Sequence, residues 1–202
     1  LGMVELISYW KAACPPKVII EGYKLSEFQR AWWNDLFLHG LGEFYFTNNI
    51  DPSNPELLSI ESEGSPTPQR SSATMQRGGE LVLAAGGKDS SLALEMLKRF
   101  NPHTRREVLI LNSTRSAAQS VQLAAYNDPI VVRRTIDKEL LSLNTQGYLN
   151  GHTPFSAYLA FLGTMIADSQ GLSSVIVANE RSASEENAVF HGLPVNHQYS
   201  KG

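Results

Sequence analysis

The clearest pattern in the chain is an alternation of short apolar runs with longer amphipathic segments after residue 80. An apolar run at 81–85 precedes a segment in which apolar residues recur at helical spacing, and a second apolar run follows at 108–111. The runs begin about 30 residues apart, which is the length of one βαβ unit. We therefore predict two parallel strands joined by a helix. The apolar positions of this helix are Leu92, Ala93, Met96, Leu97 and Phe100.

The alternation continues towards the end of the chain. The pattern predicts helices at 116–126 and 153–169 and strands at 130–133 and 174–178, with Thr153 as the N-cap of the second helix. Short, fully apolar strands that alternate with helices indicate a parallel sheet buried on both faces. We expect an α/β fold with a Rossmann-like parallel sheet, helices on both faces, and ligands at the carboxyl ends of the strands.

The first 50 residues are rich in aromatic side chains, most of which we expect in a core. Ser26 and Gln29 have the spacing of a capping box, so a helix is predicted to begin there and to end near Gly40. A strand is predicted at 43–47. This part of the chain is interpreted as a small aromatic-rich α+β segment.

Proline, serine, glycine and glutamate dominate from 51 to 79, which predicts a linker. We therefore divide the chain into an aromatic-rich segment (1–50), a linker (51–79) and an ATP-binding α/β domain (80–202). Because the sequence opens with Leu1 and stops after a dense polar stretch, we expect a fragment that is truncated at its carboxyl terminus.

Composition and charge exclude several classes of function. The net charge is -3 and the pI is about 6.0, which does not favour a nucleic-acid-binding surface. Cys14 is the single cysteine, so the chain has neither a disulfide framework nor the thiol pair of a two-cysteine racemase. No apolar run reaches the roughly 18 residues of a membrane span. We expect a cytoplasmic protein with no membrane partner and leave its oligomeric state open.

The most informative motif joins the first predicted strand to the first predicted helix of the α/β region. Two adjacent glycines at this point let the backbone approach a ligand and direct N–H groups towards an anion. A lysine adds positive charge, and an aspartate and two serines follow in the first helical turn. We predict that this loop binds ATP. The candidate residues are Ala85, Gly86, Gly87, Lys88, Asp89, Ser90 and Ser91.

Two familiar phosphate loops do not fit this motif. The Walker pattern fails because Val82 occupies the position of its first glycine and Asp89 follows the lysine. The dinucleotide pattern fails because the glycines are adjacent. The loop instead resembles the S-G-G-x-D-S signature of the PP-loop ATP pyrophosphatases, with Ala85 in place of the first serine. This resemblance implies a HUP-type nucleotide-binding domain. The alternative is that the glycines only make a tight turn.

Polar side chains are concentrated after the last predicted strand. We interpret Asn179 and Ser184 as further nucleotide-binding candidates, and Glu180 and Asp89 as candidate ligands of a phosphate-bound Mg²⁺, which takes one or two protein carboxylates. His152 lies near a predicted helix N-terminus, where the helix field favours a neutral imidazole. For Glu180 a solvated loop remains the alternative interpretation, and for His152 a surface or capping role.

Four motifs occur in an order that resembles the MurL family of ATP-dependent UDP-N-acetylmuramoyl-L-alanyl-L-glutamate epimerases. The resemblance covers the chain from about Glu80 to its end, and more loosely the opening residues 2–11. Four ordered motifs are more specific than one glycine loop. The motifs are Gly-Gly-Lys-Asp-Ser (86–90), Leu-Asn-Gly-His-Thr-Pro (149–154), Asn-Glu-Arg-Ser-Ala-Ser (179–184) and Val-Asn-His-Gln-Tyr-Ser-Lys (195–201).

The resemblance implies inversion of the terminal L-glutamate of UDP-MurNAc-L-Ala-L-Glu, with ATP and Mg²⁺ as cofactors and AMP and diphosphate as products. For the proton transfer that this reaction requires, we nominate His197 as the first candidate base and His152 as the second, with Tyr199 or Lys201 as acid partners. The alternatives are another adenylylating PP-loop enzyme, either an amide-forming ligase or a tRNA-modifying enzyme, and a non-catalytic nucleotide sensor.

Overall fold

A computed structural model describes residues 1–66, 78–124, 126, 128–179, 185, 186 and 188–196. Helices and strands follow one another along most of this part of the chain. The helices are α1 (Gly2–Trp10), α2 (Glu27–Gly40), α3 (Gly42–Asn48), α4 (Lys88–Phe100), α5 (Arg115–Leu123), α6 (Lys138–Thr145) and α7 (Phe155–Ser169). The strands are β1 (Lys17–Lys24), β2 (Ser59–Pro66), β3 (Glu80–Leu83), β4 (Arg106–Leu111), β5 (Ile130–Val132), β6 (Ser174–Ile176), β7 (Ala188–Phe190) and β8 (Leu193–Val195).

The largest sheet in the described residues has four parallel strands in the order β5-β4-β3-β6. Val82 of β3 and Val108 of β4 are buried against Leu94 of α4 and Val121 of α5. On the opposite face, Gly163 of α7 approaches Val175 and Leu83. The prediction of an α/β fold with a parallel sheet and helices on both faces is therefore confirmed, and the arrangement is consistent with a Rossmann-like fold.

The described residues separate into two compact units that do not follow the order of the chain. The first unit contains residues 1–66, 137–158, 185, 186 and 188–196. The second contains the four-stranded sheet and comprises 78–136, without 125 and 127, together with 159–179. Among the described helices, none is long and apolar enough to cross a membrane.

The first unit is organised around an aromatic core. The prediction of a capped helix is confirmed, because the Ser26 hydroxyl accepts a hydrogen bond from the Gln29 amide and the Gln29 side chain accepts one from the Ser26 amide. The core lies against the carboxyl-terminal half of α2. Its buried members include Ile7, Trp10, Leu36, Phe37, Leu41, Phe44, Tyr45 and Ile60.

Two predictions for the amino-terminal region are wrong. The predicted strand at 43–47 is helix α3, because Leu41, Phe44 and Tyr45 are buried with helical rather than alternating spacing. Part of the predicted linker is β2, which pairs in parallel with β1 although it buries only Ile60. Backbone hydrogen bonds form this pair, and they leave little trace in the side-chain pattern. Of the aromatic side chains in this region, Trp10, Phe37 and Tyr45 are buried, whereas Tyr9, Trp32 and Phe46 are exposed.

Candidate functional site

The glycine loop lies at the carboxyl end of a central strand. β3 is flanked by β4 and β6, and its Leu81, Val82 and Leu83 are buried. Gly87 is the N-cap of α4, a helix of 13 residues. The first amides of a helix have no partner within the helix, and the helix dipole adds partial positive charge at this end. The loop therefore directs backbone donors to the edge of the sheet where ligands of such folds bind.

The two glycines of the loop have different surroundings. Gly86 has a φ of 82°, and a Cβ atom on it would lie 2.4 Å from the backbone N of Ala117. Glycine is required there by the close approach of α5. Gly87 has a φ of -83°, and a Cβ on it would meet nothing within 4 Å. The tight-turn interpretation therefore accounts for Gly86, whereas the open space at Gly87 fits the approach of a ligand to the backbone.

The polar side chains after the glycines fall into two groups. The hydroxyls of Ser90 and Ser91 donate to the carbonyl oxygen of Gly87 at 3.1 and 2.9 Å, so they support the loop. Lys88 and Asp89 are exposed. Within the part of the chain that the structure describes, neither makes a hydrogen bond or an ion pair. The exposed ammonium and carboxylate have the chemistry to contact a phosphate and a phosphate-bound cation.

The strand order places a second candidate beside the loop. Along the sheet the sequence order runs β5, β4, β3 and then jumps to β6, so it reverses between β3 and β6. Val82 is in register with Ile176, and Asn179 follows Ile176 by three residues. Gly86 and Asn179 consequently lie beyond the same edge of adjacent strands. In open α/β sheets, this reversal point is where the ligand crevice forms.

The predicted metal ligands are only partly described. Glu180 and Ser184 lie outside the described residues, while Asp89 is on the first turn of α4. Within the described residues, no group of three or more His, Cys, Asp or Glu side chains could hold a metal ion. Asp89 has the oxygen donors that Mg²⁺ prefers, and it lies in the first turn of α4.

A second set of chemical groups lies in the first unit. His152 is half-buried, and its Nδ1 lies 4.0 Å from Oε2 of Glu43 on α3. Lys11 is buried and donates to the Gly151 carbonyl and, at 2.8 Å, to the Thr153 hydroxyl. Lys11 and Glu43 were not predicted as site residues, although residues 2–11, which contribute to the family resemblance, include Lys11. The other predicted proton-transfer residues, His197, Tyr199 and Lys201, lie outside the described residues.

The helix that follows His152 starts later than predicted. α7 begins at Phe155, and the Phe155 amide bonds to the Thr153 carbonyl at 2.6 Å. His152 therefore precedes the first helical residue by three positions. The predicted field of the helix N-terminus falls off within about one turn.

Together these features define the class: an α/β protein with a glycine-containing strand-to-helix loop at the reversal point of a parallel sheet. Residues 1–202 match the model of the family described as the MurL N-terminal domain, and the chain belongs to that family.

The chain is also similar to three curated relatives named UDP-N-acetyl-alpha-D-muramoyl-L-alanyl-L-glutamate epimerase. It is 32% identical to the one from Micromonospora sp. and 31% identical to those from Xanthomonas oryzae pv. oryzae and Salinispora tropica. All of the chain is covered, but it spans only 43–44% of the length of these relatives. No solved structure matches the chain at a significant level.

Proposed function

We propose that this chain is the ATP-binding part of an epimerase that inverts the terminal L-glutamate of UDP-MurNAc-L-Ala-L-Glu in peptidoglycan precursor synthesis. The observation that carries the proposal is the open space beside the Gly87 backbone. Gly87 lies at the N-terminus of α4 and at the point where the strand order of the sheet reverses. The substrate is the one that the relatives' names specify. The loop would act as a PP-loop within residues 80–202.

Adenylylation would make the α hydrogen of the glutamate easier to remove. Removing the α hydrogen of glutamate places negative charge beside a carboxylate that is already negative. If the carboxylate oxygen attacks the α phosphorus of ATP, diphosphate leaves and an acyl-adenylate forms, which no longer carries that negative charge. A base can then take the α proton, a proton returns on the other face, and water releases AMP and the D-glutamate product.

The residues have distinct roles in this proposal. The amides of the loop 86–91 and the Lys88 ammonium would hold the phosphates, and Asn179 and Ser184 would contact the nucleotide. Asp89 and Glu180 would hold Mg²⁺, which supplies charge neutralisation at the phosphates when it is bound. His197 is the first candidate base and His152 the second, with Tyr199 and Lys201 as acid partners. A cytoplasmic enzyme with no nucleic-acid or membrane partner fits this small-molecule substrate.

ATP binding to the chain is the first test. Gly87→Val should weaken the affinity for ATP in the presence of Mg²⁺ at least about tenfold, because a branched side chain fills the space above the helix N-terminus. Gly78→Val is the matched control, since a Cβ there also meets nothing within 4 Å. Isothermal titration calorimetry measures both. Equal affinity in Gly87→Val and the unmodified chain would refute the site.

Catalysis is the second test, made on the chain joined to the part of the Xanthomonas oryzae relative that lies outside the match. With ATP, Mg²⁺ and the muramoyl dipeptide we expect AMP release and D-glutamate, and Asp89→Asn should sharply reduce AMP release. His197→Ala should slow solvent deuterium incorporation at the glutamate α carbon and spare adenylylation. AMP without inversion would indicate another adenylylating PP-loop enzyme, and ATP binding without AMP would indicate a nucleotide sensor.

A further inference from the structure

Arginines at the two ends of the four-stranded sheet differ in what they contact. At the amino end of the strands, the Arg106 side chain is only 4% exposed and lies 2.7 Å from the Glu80 carboxylate. At the carboxyl end, Arg115 and Arg133 follow β4 and β5, and both are exposed. Among the residues that the structure describes, neither side chain makes a hydrogen bond or an ion pair. The arginines at the ligand-binding end of the sheet can therefore contact an anion.

Arg115 lies beside the glycine loop. It is the first residue of α5, and an ideal Cβ on Gly86 would lie 2.7 Å from the carbonyl carbon of Ser116. The Thr114 hydroxyl accepts a hydrogen bond from the Ala117 amide at 3.1 Å, so this amide already has a partner. The Arg115 guanidinium is therefore the group that this end of α5 offers to an anion.

Arg133 is fixed at the carboxyl end of β5 by Asn112. Leu111 of β4 is in register with Val132 of β5. The Asn112 amide donates to the Val132 carbonyl at 2.8 Å, and the Asn112 side-chain oxygen accepts from the Arg134 amide at 2.7 Å. These two bonds hold the backbone on both sides of Arg133. Neighbouring strands are about 4.8 Å apart, so the end of β5 lies about 10 Å from the end of β3 along the sheet edge.

The proposed reaction brings two polyanions to this edge of the sheet. ATP carries a triphosphate, and the substrate in the relatives' names carries a diphosphate and the carboxylates of its glutamate. A carboxylate oxygen can attack the α phosphorus only if the two molecules are held close together, where their like charges repel. In the proposal above, Lys88 and the bound Mg²⁺ balance charge on the triphosphate. The second anion needs cations of its own.

The two arginines have the chemistry and the position to supply these cations. A planar guanidinium binds a carboxylate or a phosphate through paired hydrogen bonds. The strand order reverses between β3 and β6, on the side of the glycine loop where Asn179 lies, whereas Arg115 and Arg133 lie on the other side, after β4 and β5. We propose that Arg115 and Arg133 bind the oxyanions of the muramoyl dipeptide substrate beside the ATP site. This inference rests on the proposed function for the identity of the ligand and on the placement of the two arginines for its position.

Binding of the dipeptide to the chain tests the inference without catalysis. Isothermal titration calorimetry is done with UDP-MurNAc-L-Ala-L-Glu and, separately, with ATP and Mg²⁺. Arg115→Gln and Arg133→Gln should each weaken the affinity for the dipeptide about tenfold and change the affinity for ATP less than about twofold. Arg99→Gln is the matched control, because Arg99 is an exposed arginine in the last turn of α4, at the end of that helix opposite the loop. It should leave both affinities unchanged.

Two further ligands identify which oxyanions of the substrate are bound. UDP alone tests the diphosphate, and the dipeptide that ends in L-glutamine tests the side-chain carboxylate of the glutamate. Weaker binding of UDP to Arg115→Gln assigns the diphosphate. Weaker binding of the glutamate form but not of the glutamine form assigns the side-chain carboxylate, and weaker binding of both forms but not of UDP assigns the α carboxylate.

Steady-state kinetics of the joined protein described above give an independent measurement. Arg115→Gln and Arg133→Gln should raise the KM for the dipeptide about tenfold and leave the KM for ATP within about twofold, because a contact with one substrate is removed. Arg99→Gln should change neither KM.

Three results would overturn the inference. The first is an unchanged affinity for the dipeptide in both Arg115→Gln and Arg133→Gln. The second is the lack of dipeptide binding to both the unmodified chain and the joined protein. The third is a loss of ATP affinity in Arg115→Gln as large as the loss of dipeptide affinity, which would assign the arginine to the nucleotide.

The inference and the proposed function can fail separately. Gly87→Val reports on the ATP loop, whereas Arg115→Gln reports on the dipeptide. Dipeptide binding that depends on Arg115 would support the second anion site even if Gly87→Val left the ATP affinity unchanged. Intact dipeptide binding in Arg115→Gln and Arg133→Gln would overturn the inference and leave the ATP site in place.

Discussion

At the scale of single residues, adjacent glycines are expected to tolerate substitution very differently. Gly86→Ala places a Cβ against the backbone of Ala117 in a left-handed conformation, so the apparent free energy of unfolding should fall by about 1–3 kcal/mol. Gly87→Ala should change it by less than about 0.5 kcal/mol. Urea titrations of the two variants compare them directly. Similar losses at both positions would show that the space at Gly87 is occupied in solution.

The single cysteine gives a prediction about reactivity and pH. Burial raises the pKa of the Cys14 thiol from 9.0 to about 11. Below the ordinary value the thiol is protonated in both the folded and the unfolded chain, so the folded chain is penalised only as the pH rises above about 9 and the unfolded thiol ionises. At pH 8 we expect Cys14 to react with a disulfide reagent about tenfold or more slowly than the unfolded chain does. Equal rates in native buffer and in urea would contradict this.

At the scale of elements, α4 shows what helical periodicity can and cannot locate. The sequence predicted this helix from Leu92, Ala93, Met96, Leu97 and Phe100. Leu92, Met96 and Phe100 are exposed, Leu97 packs against the core, and the buried residues are Ser90 and Leu94. The predicted helix is therefore confirmed, and most of the apolar positions that indicated it are exposed. Periodicity shows that one apolar stripe exists, but a helix with apolar residues on two sides does not reveal which side meets the sheet.

The same helix supplies a prediction with an internal control. Leu94→Ala should lower the free energy of unfolding by about 2–5 kcal/mol, because the residue is fully buried against the sheet. Leu92→Ala makes the same chemical change at a position that is 60% exposed and should cost less than about 1 kcal/mol. Thermal and urea unfolding would measure both. A larger loss at Leu92 would reverse the assignment of the faces.

Elements marked by apolar runs, by helical spacing of apolar residues or by a capping box were predictable, whereas β1 and β2 were not. β3 and β4 followed from continuous apolar runs, and the helices between and after them followed from the amphipathic segments. β1 and β2 expose most of their residues, so their pairing depends on backbone bonds that the sequence does not show. The candidate site divides in the same way. The glycine pair and the buried strand before it are neighbours in the sequence, so they could be recognised together. Lys11 is 140 and 142 residues away from its two acceptors, so their contact could not be recognised from the sequence.

At the scale of the whole molecule, the boundaries chosen from composition can be tested by dissection. Leu149 belongs to the first unit, where its amide bonds to the Ala12 carbonyl. In a fragment that comprises only 80–202 this acceptor is missing, so hydrogen exchange at Leu149 should be faster than in the intact chain. Exchange at Val108, inside the four-stranded sheet, is the reference amide. Equal protection of Leu149 in both samples would support a self-contained 80–202 domain.

The interleaving of the two units has a consequence for biosynthesis. The aromatic core of the first unit includes Ala157, and Pro154 fits against Gly40, so the opening 66 residues emerge from the ribosome long before the partners that complete their packing. Trp10 and Phe44 therefore stay incompletely buried while about 90 further residues are translated at roughly 5–20 residues per second. The nascent chain should therefore depend on chaperones for several seconds, and translational pausing before residue 157 should lower the yield of folded protein.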